Sequence, residues 1–218
     1  MKATFQKYTL QFKQPSGTSR GVMTQKETWL LTITQDGKKG IGECGMLRGL
    51  SVDDRPDYEA KLKWVCDHIE KGEAWLWEQL VEFPSIQFGV EMAFRSLQAD
   101  QPFLLFPSKF TEEQQSIPIN GLVWMGTPDF MKRQIEEKIA SGFHCIKLKI
   151  GAIDFEKELE LLGLIRQNFD ASQIEIRVDA NGAFLSNDAL FKLGQLSKFE
   201  LHSVEQPIAK NQWESMSE

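Results

Sequence analysis

The second half of the chain alternates strand-like runs with helical patterns. Regular alternation of this kind predicts parallel βαβ units. The repeat length, about thirty residues, suits either a doubly wound sheet or a (β/α)₈ barrel. The helical patterns cover about residues 129–141, 154–169 and 186–198, and the strand-like runs are Ile117–Val123, His144–Ile150, Ile174–Ala180 and His202–Ile208.

The residues at the helix ends agree with these bounds. Thr127 and Pro128 suit an N-cap followed by proline in the first helical position, Gly142 suits the position after a helix, and Ser186 can cap the third helix.

The faces of the strands favour the barrel. Successive side chains of a strand point to opposite faces, so one face of each run is apolar and the other is polar. The polar face carries Cys145, Lys147 and Lys149 in the second run and Glu175, Arg177 and Asp179 in the third. A doubly wound parallel sheet is buried on both faces and should be apolar throughout. A barrel lets polar side chains converge at its carboxyl-terminal rim, where barrel active sites lie. We therefore predict that residues 113–218 are the first part of a (β/α) barrel, about four strands.

In the first half of the chain, three strand-like segments are followed by three helical ones, which predicts a small α+β domain over residues 1–112. Its strand patterns are Thr4–Phe12, Glu27–Thr34 and Gly40–Cys44, with turn signals at Gln14–Gly21 and Asp36-Gly37. Its helical patterns are Pro56–Ile69, Glu73–Val81 and Ser85–Ala99, and Gly72 is placed to end the first of them.

Charge and cysteine content narrow the class of protein. Lys and Arg number 25 against 31 Asp and Glu, a net charge of −6, so the basic excess of a nucleic-acid binder is missing. The three scattered cysteines argue against a disulfide framework and for a reducing compartment. No apolar run approaches the ~18 residues of a membrane span. We expect a cytoplasmic protein with neither a nucleic-acid nor a membrane partner, and the oligomeric state is left open.

Four ionisable side chains should meet at the rim of the predicted barrel: Lys147, Lys149, Asp179 and Glu205. Two carboxylates from adjacent strands form an all-oxygen site that suits Mg²⁺. A lysine beside a second ammonium and a divalent cation is disfavoured in its charged form, so its pKa should fall and it can act as a general base. A single charge at a strand end is usually only solvated, but the ordered set is more specific. The set predicts Mg²⁺-assisted removal of a proton α to a carboxylate.

At these residues the chain resembles the muconate-lactonizing group of the enolase superfamily. The matching segments are Lys147-x-Lys149, Asp179-Ala180-Asn181 and Glu205-Gln206-Pro207, in the group's order, and the N-terminal region is similar to its capping domain. Within the group, Ile119–Trp124, Ser85–Glu91 and the residues around Glu205 resemble the o-succinylbenzoate synthase family.

The resemblance implies a role for each residue. Asp179 and Glu205 would be Mg²⁺ ligands, and Asn181 would support them. Lys149 would remove the α-proton and then help hydroxide to leave from the same face. Lys147 would hold the carboxylate of a small-molecule substrate.

The resemblance also implies a reaction. Members of the family convert 2-succinyl-6-hydroxy-2,4-cyclohexadiene-1-carboxylate to 2-succinylbenzoate in menaquinone biosynthesis, as hydro-lyases. Loops near Thr18–Met23 and Gly45–Leu50 would close over the mouth of the site and read the succinyl end. The alternatives are an N-acylamino acid racemase or dipeptide epimerase of the same group, and a non-catalytic half-barrel that a partner chain completes.

The length departs from the resemblance. A barrel needs ~250 residues, and the group expects a third carboxylate ligand on the fifth strand and another lysine on the sixth. The chain ends at Glu218, shortly after the fourth strand. We therefore expect it to be the N-terminal portion of a longer enzyme, with little activity on its own.

Overall fold

The computed structural model describes residues 1–18 and 21–218. They form two compact units, Met1–Ser116 and Ile117–Glu218. The first unit contains strands β1 (Lys2–Thr18), β2 (Gly21–Gln35) and β3 (Lys38–Cys44), followed by helices α1 (Tyr58–Asp67), α2 (Glu73–Gln79) and α3 (Pro84–Gln98). The second unit contains β4 (Gly121–Val123), α4 (Pro128–Ala140), β5 (Cys145–Lys149), α5 (Phe155–Asn168), β6 (Glu175–Asp179), α6 (Ser186–Leu196), β7 (Ser203–Glu205) and α7 (Trp213–Ser217).

The first unit is built on an antiparallel sheet in the order β1-β2-β3. The predicted hairpin at Asp36-Gly37 is confirmed, since both residues have positive φ. The prediction that all of Gln14–Gly21 is a turn was wrong, because β1 continues to Thr18 and pairs there with Gly21. Between Gln11 and Ser16 the register shifts, which accommodates Pro15, a residue without an N–H for the ladder. Ser19 and Arg20 lie outside the described residues.

The helices of the first unit cover one face of this sheet, as the sequence predicts for an α+β domain. Helix α3 lies so close to β3 that a Cβ on Gly42 would come within 1.9 Å of the carbonyl oxygen of Gly89. The predicted end of the first helical segment is confirmed: α1 is followed by a 3₁₀ turn, Ile69–Lys71, which stops at Gly72 with φ of +86°. The core contains Trp29, Leu31, Tyr58, Leu62 and Ile86.

The second unit is a parallel sheet in the order β4-β5-β6-β7, with a helix after each of its strands. The predicted faces are confirmed. Ile146 and Ile176 are buried in one core with Leu162 and Ile165 of α5, whereas Lys147 and Lys149 lie on the opposite, partly exposed face. The sequence pattern therefore correctly predicts which face of the sheet the helices cover.

The helix ends of the second unit agree with the sequence at three of the four predicted positions, and Pro128 is the first residue of α4 as expected. Thr127 caps α4 by accepting a hydrogen bond from the Phe130 N–H at 3.3 Å, and Gly142 follows that helix with φ of +82°. The cap predicted at Ser186 was wrong: Leu185 holds the N-cap position, and the Ser186 hydroxyl donates to Gln212 instead.

The outer strands are shorter than the sequence suggests. The runs Ile117–Val123 and His202–Ile208 each form only three residues of strand, β4 and β7. Beyond β7, the parallel pairing resumes as a single bridge between Phe184 and Ile208. Within the described residues, none of the helices combines the length and the apolar character required to cross a membrane.

Candidate active site

Three neighbouring parallel strands end in register and bring the predicted side chains together. Lys149 on β5 is the pairing partner of Asp179 on β6, which pairs in turn with Glu205 on β7. Lys147 lies two residues before Lys149, so its side chain leaves the sheet on the same face. The structure thus collects all four residues that the sequence singled out, at the carboxyl ends of the strands.

Asp179 is the centre of this cluster. Its side chain is only 1% exposed, and its Oδ2 accepts a hydrogen bond from Lys149 Nζ at 2.7 Å, with Lys147 Nζ at 3.7 Å. The other oxygen, Oδ1, accepts from the backbone N–H of Asn181 at 2.9 Å and from its Nδ2 at 2.8 Å. Both oxygens therefore have partners, which fixes the plane of the carboxylate.

The surroundings of Asp179 favour its charged form. Burial raises the pKa of the carboxyl, but the hydrogen bonds from Lys149 and Asn181 and the charges of both lysines outweigh burial and hold the pKa below its ordinary value. A carboxylate that is buried and yet negative at neutral pH is a ready partner for a cation.

The two lysines remain accessible. Each is 22% exposed. Lys147 also pairs with Glu205, whose side chain is 58% exposed, and Lys149 donates a second hydrogen bond to Asn181 Oδ1 at 3.1 Å. Asn181 has φ of +49°, a conformation that asparagine tolerates better than most residues. It therefore touches both Lys149 and Asp179, as its predicted supporting position requires.

The donor set of the cluster fits a hard cation. Asp179 and Glu205 offer carboxylate oxygens from adjacent strands, the ligand type that Mg²⁺ prefers. Across residues 1–18 and 21–218, the structure contains no group of three or more His, Cys, Asp and Glu side chains arranged to hold a metal ion. The role of the two carboxylates as Mg²⁺ ligands therefore stays a prediction, as do the roles of the two lysines.

One charged residue near the cluster was not predicted. Glu158 on α5 is 1% exposed, and its Oε1 accepts a hydrogen bond from the N–H of Gly151, two residues after Lys149, at 2.6 Å. The sequence does carry a signal for it. Glu158 occupies the same helical stripe as Leu161, Leu162 and Ile165, which are all buried. A carboxylate on a buried stripe needs a specific partner.

Of the two segments predicted to read the substrate, Gly45–Leu50 is a loop after β3, but the described residues of Thr18–Met23 belong to β1 and β2, so the prediction of a loop there was wrong for them. Residues 21–27 and 48–50 line one cleft of about 550 Å³. Within it, Arg48 donates to Glu27 at 2.9 Å and to Asp54 at 2.7 Å. Hydrogen bonds from Lys7 and Arg48 lower the pKa of Glu27. The assignment of these loops to substrate recognition stays a prediction.

Known proteins resemble the chain in both units. The family described as "MenC, N-terminal domain" matches residues 1–97, and the one described as "Enolase C-terminal domain-like" matches residues 130–218. The o-succinylbenzoate synthase of Desulfotalea psychrophila is 40% identical, over 100% of this chain and 67% of its own length. A hydrophobic dipeptide epimerase of Roseobacter litoralis is 21% identical, over 96% of this chain and 62% of its own length.

Solved structures agree. The crystal structure of MenC from Desulfotalea psychrophila superposes with a TM-score of 0.83 at 34% identity, covering 100% of this chain and 67% of that one. An o-succinylbenzoate synthase from Thermosynechococcus elongatus, solved with Mg in its active site, gives 0.75 at 19% identity, covering 99% and 64% and showing a shared fold. The chain thus spans about two thirds of the length of these relatives.

The predicted membership of an enzyme family is confirmed by the identity over the whole chain and by the matches to both of its units. The chain belongs to the o-succinylbenzoate synthase family of the enolase superfamily.

Proposed function

We propose that the chain carries part of the active site of a Mg²⁺-dependent hydro-lyase. This enzyme converts 2-succinyl-6-hydroxy-2,4-cyclohexadiene-1-carboxylate to 2-succinylbenzoate, a step of menaquinone biosynthesis. One observation carries the proposal: two lysines and two carboxylates meet on in-register strand ends, in a chain 40% identical to an o-succinylbenzoate synthase.

Lys149 is the proposed acid and base. In its neutral form Nζ takes the proton from the ring carbon that carries the carboxylate. The same Nζ then returns that proton to the departing hydroxyl on the neighbouring carbon, so that a C–H and a C–O bond break, a ring double bond forms and water leaves. Both events need one group on one face of the ring, and a rigid strand end supplies it.

The neighbours of Lys149 position it. Asp179 Oδ2 at 2.7 Å and Asn181 Oδ1 at 3.1 Å hold Nζ from two directions. Lys147, two residues earlier on the same face, is placed to pair with the substrate carboxylate. Its present partner, the exposed Glu205, is a group that a substrate anion can replace. Such fixed charges lower the barrier because they do not have to reorganise during the reaction.

Asp179 and Glu205 are the proposed ligands of Mg²⁺. When bound there, Mg²⁺ would stabilise the negative charge that builds on the substrate carboxylate as the proton leaves. The synthase from Thermosynechococcus elongatus, with Mg in its active site, supports this assignment.

For the fold, we propose that β4 to β7 are consecutive strands of a (β/α) barrel and that residues 1–112 form a capping domain. The strand order 4-5-6-7 has no reversal, whereas a doubly wound sheet reverses its strand order at a switch point. The ionisable face opposite the helices is also what a barrel interior accommodates at its rim.

Dehydration of the proposed substrate, followed by the appearance of the aromatic product, tests the function. The polypeptide made from the chain's gene should turn over with Mg²⁺ and lose activity when EDTA removes the metal. A matched pair of variants gives the control: Lys149→Ala should abolish turnover, while Lys157→Ala, an exposed lysine on α5, should not. If the Lys149→Ala variant retained turnover, the proposed function would be contradicted.

Epimerisation of dipeptides or racemisation of N-acylamino acids is the second candidate. The similarity to a dipeptide epimerase over 96% of this chain favours it. Racemisation of N-succinylamino acids that exceeds dehydration under the same conditions would replace the first proposal with this one.

A further inference from the structure

Glu158 lies beneath the turn that follows Lys149. The turn begins at Gly151, whose N–H donates to Glu158 Oε1 at 2.6 Å. The N–H groups of Ala152 and Ile153 also act to lower the pKa of this carboxyl, although burial outweighs them and raises the pKa overall. The hydrogen bond from Gly151 joins the turn to the buried side chain, whose other oxygen, Oε2, is buried without a hydrogen-bond partner among the described residues. Movement of the turn would break this hydrogen bond and leave both carboxylate oxygens buried and unpaired, so the turn has little freedom.

The turn is also packed against the next strand end. Gly151 has φ of +91°, and a Cβ built on it would lie 2.3 Å from the Cβ of Ala183 and 3.2 Å from the carbonyl oxygen of Ala180. Ala180 follows Asp179 directly, and its neighbour Asn181 contacts Lys149. The backbone of Ile150 closes the arrangement by donating to the carbonyl oxygen of Asp179 at 2.9 Å. Displacing Gly151 would therefore disturb both strand ends that carry the cluster.

We propose that Glu158 is a positioning residue for the reaction: its carboxylate fixes the Gly151–Ile153 turn and thereby holds Lys149 in place against Asp179 and Asn181. This inference rests on the proposed function for its kinetic consequence, but not for its structural one. Glu158 itself does not touch the cluster and takes no part in proton transfer.

The test uses Glu158→Gln, which keeps the size of the side chain. A glutamine can still accept one hydrogen bond from Gly151, but it removes the negative charge that the N–H groups of Ala152 and Ile153 favour and replaces the unpaired Oε2 with an N–H₂ donor. We expect the amide hydrogens of residues 151–153 to exchange faster than in the wild type. We also expect kcat for dehydration to fall about tenfold with KM within about twofold, because small misplacements of a reacting group cost rate. Glu158→Leu, which loses every acceptor, should lower kcat further, by about a hundredfold.

Two controls separate positioning from general destabilisation. Glu160→Gln changes an exposed carboxylate on the same helix, which pairs with Lys157, and should leave both readouts unchanged. Ile165→Val removes one buried methyl group from the same face of α5 and should lower stability without changing kcat or the exchange at residues 151–153.

The outcomes separate the two proposals. An active wild type whose Glu158→Gln variant keeps kcat within twofold would overturn the positioning role. If the wild type does not dehydrate the substrate, the proposed function fails, and amide exchange alone tests the structural role of Glu158. Faster exchange at residues 151–153 in Glu158→Gln then supports that role, and unchanged exchange overturns it. If Glu158→Leu does not fold, the glutamine variant still gives both readouts.

Discussion

Two clusters of paired charges, one in each unit, differ in what holds them in place. In the first unit, Arg48 joins Glu27 and Asp54, and its own side chain is 50% exposed. In the second unit, Asp179 is 1% exposed and is held by side chains and backbone at the ends of strands. The Arg48 cluster depends partly on a loop and on solvent-screened pairs, whereas the Asp179 cluster is fixed by sheet register. Rigid elements position reacting groups better than loops do, and loops adapt better to a ligand.

The largest expected effect is on activity, and it comes from a change in the Asp179 cluster. Lys149→Ala should lower turnover at least 10²- to 10⁴-fold, the range for loss of a general acid–base group. The chain should stay folded, because Lys147 still faces Asp179 across 3.7 Å. Steady-state kinetics with circular dichroism on the same preparation measure both. An unfolded variant would mean that Lys149 contributes to structure as much as to chemistry.

The next largest effect is on stability, and it is expected on replacing Gly151, which has a positive φ and is closely packed. Gly151→Ala forces a positive φ on alanine and sets a methyl group 2.3 Å from Ala183, so it should cost about 3 kcal/mol of unfolding free energy. Gly37→Ala is the matched control in the first unit: its φ is also positive, at +79°, but no atom lies within 4 Å. It should cost only about 1 kcal/mol. Urea denaturation of both variants gives the comparison, and equal costs would contradict close packing at Gly151.

Two glutamates, Glu158 in the second unit and Glu27 in the first, should respond to pH with opposite signs. Burial raises the pKa of Glu158 above its ordinary value of 4.5, although the N–H groups of Gly151, Ile153 and Ala152 and the charge of Lys192 on α6 oppose the shift. Its contribution to stability is therefore complete below pH 4.5 and is lost as the pH rises through the pKa of the folded state. The unfolding free energy of the wild type minus that of Glu158→Gln should decrease as the pH rises above 4.5.

Glu27 should show the reverse. Its hydrogen bonds with Lys7 and Arg48 lower its pKa below 4.5, so its contribution is complete above that value and is lost as the pH falls through the lower pKa. The wild type minus Glu27→Gln difference should shrink on acidification, and the change should be small because the pairs are screened by solvent. Chemical denaturation at several pH values measures both differences. The same sign for both glutamates would contradict the contrast between the two environments.

Much of the second unit follows from sequence period alone. The alternation in β5 and β6 predicts which side chains the helices bury, and the strand ends predict that Lys149, Asp179 and Glu205 meet. Glu158 was missed because its hydrogen-bond partner is the backbone N–H of Gly151, seven residues earlier, and side-chain patterns do not report on backbone donors. The cap predicted at Ser186 failed for a related reason: its hydroxyl is engaged by Gln212, a residue distant in the chain. Local propensity predicts elements well where no distant partner competes.

The smallest effect is expected at Arg48. Arg48→Ala removes two ion pairs, with Glu27 at 2.8 Å and with Asp54 at 2.7 Å. Since these side chains are partly exposed, the loss should be about 1 kcal/mol or less, and it should shrink further in 1 M salt. Asp54 keeps its hydrogen bond from the Gly49 N–H at 2.7 Å, so the loop does not lose all of its anchors. Unfolding free energies of wild type and variant at low and high salt measure the effect. If Arg48→Ala instead lowers the unfolding free energy by about 3 kcal/mol and salt does not change this loss, the Arg48 cluster is stabilised by burial, as the Asp179 cluster is. The contrast between the two clusters would then not hold.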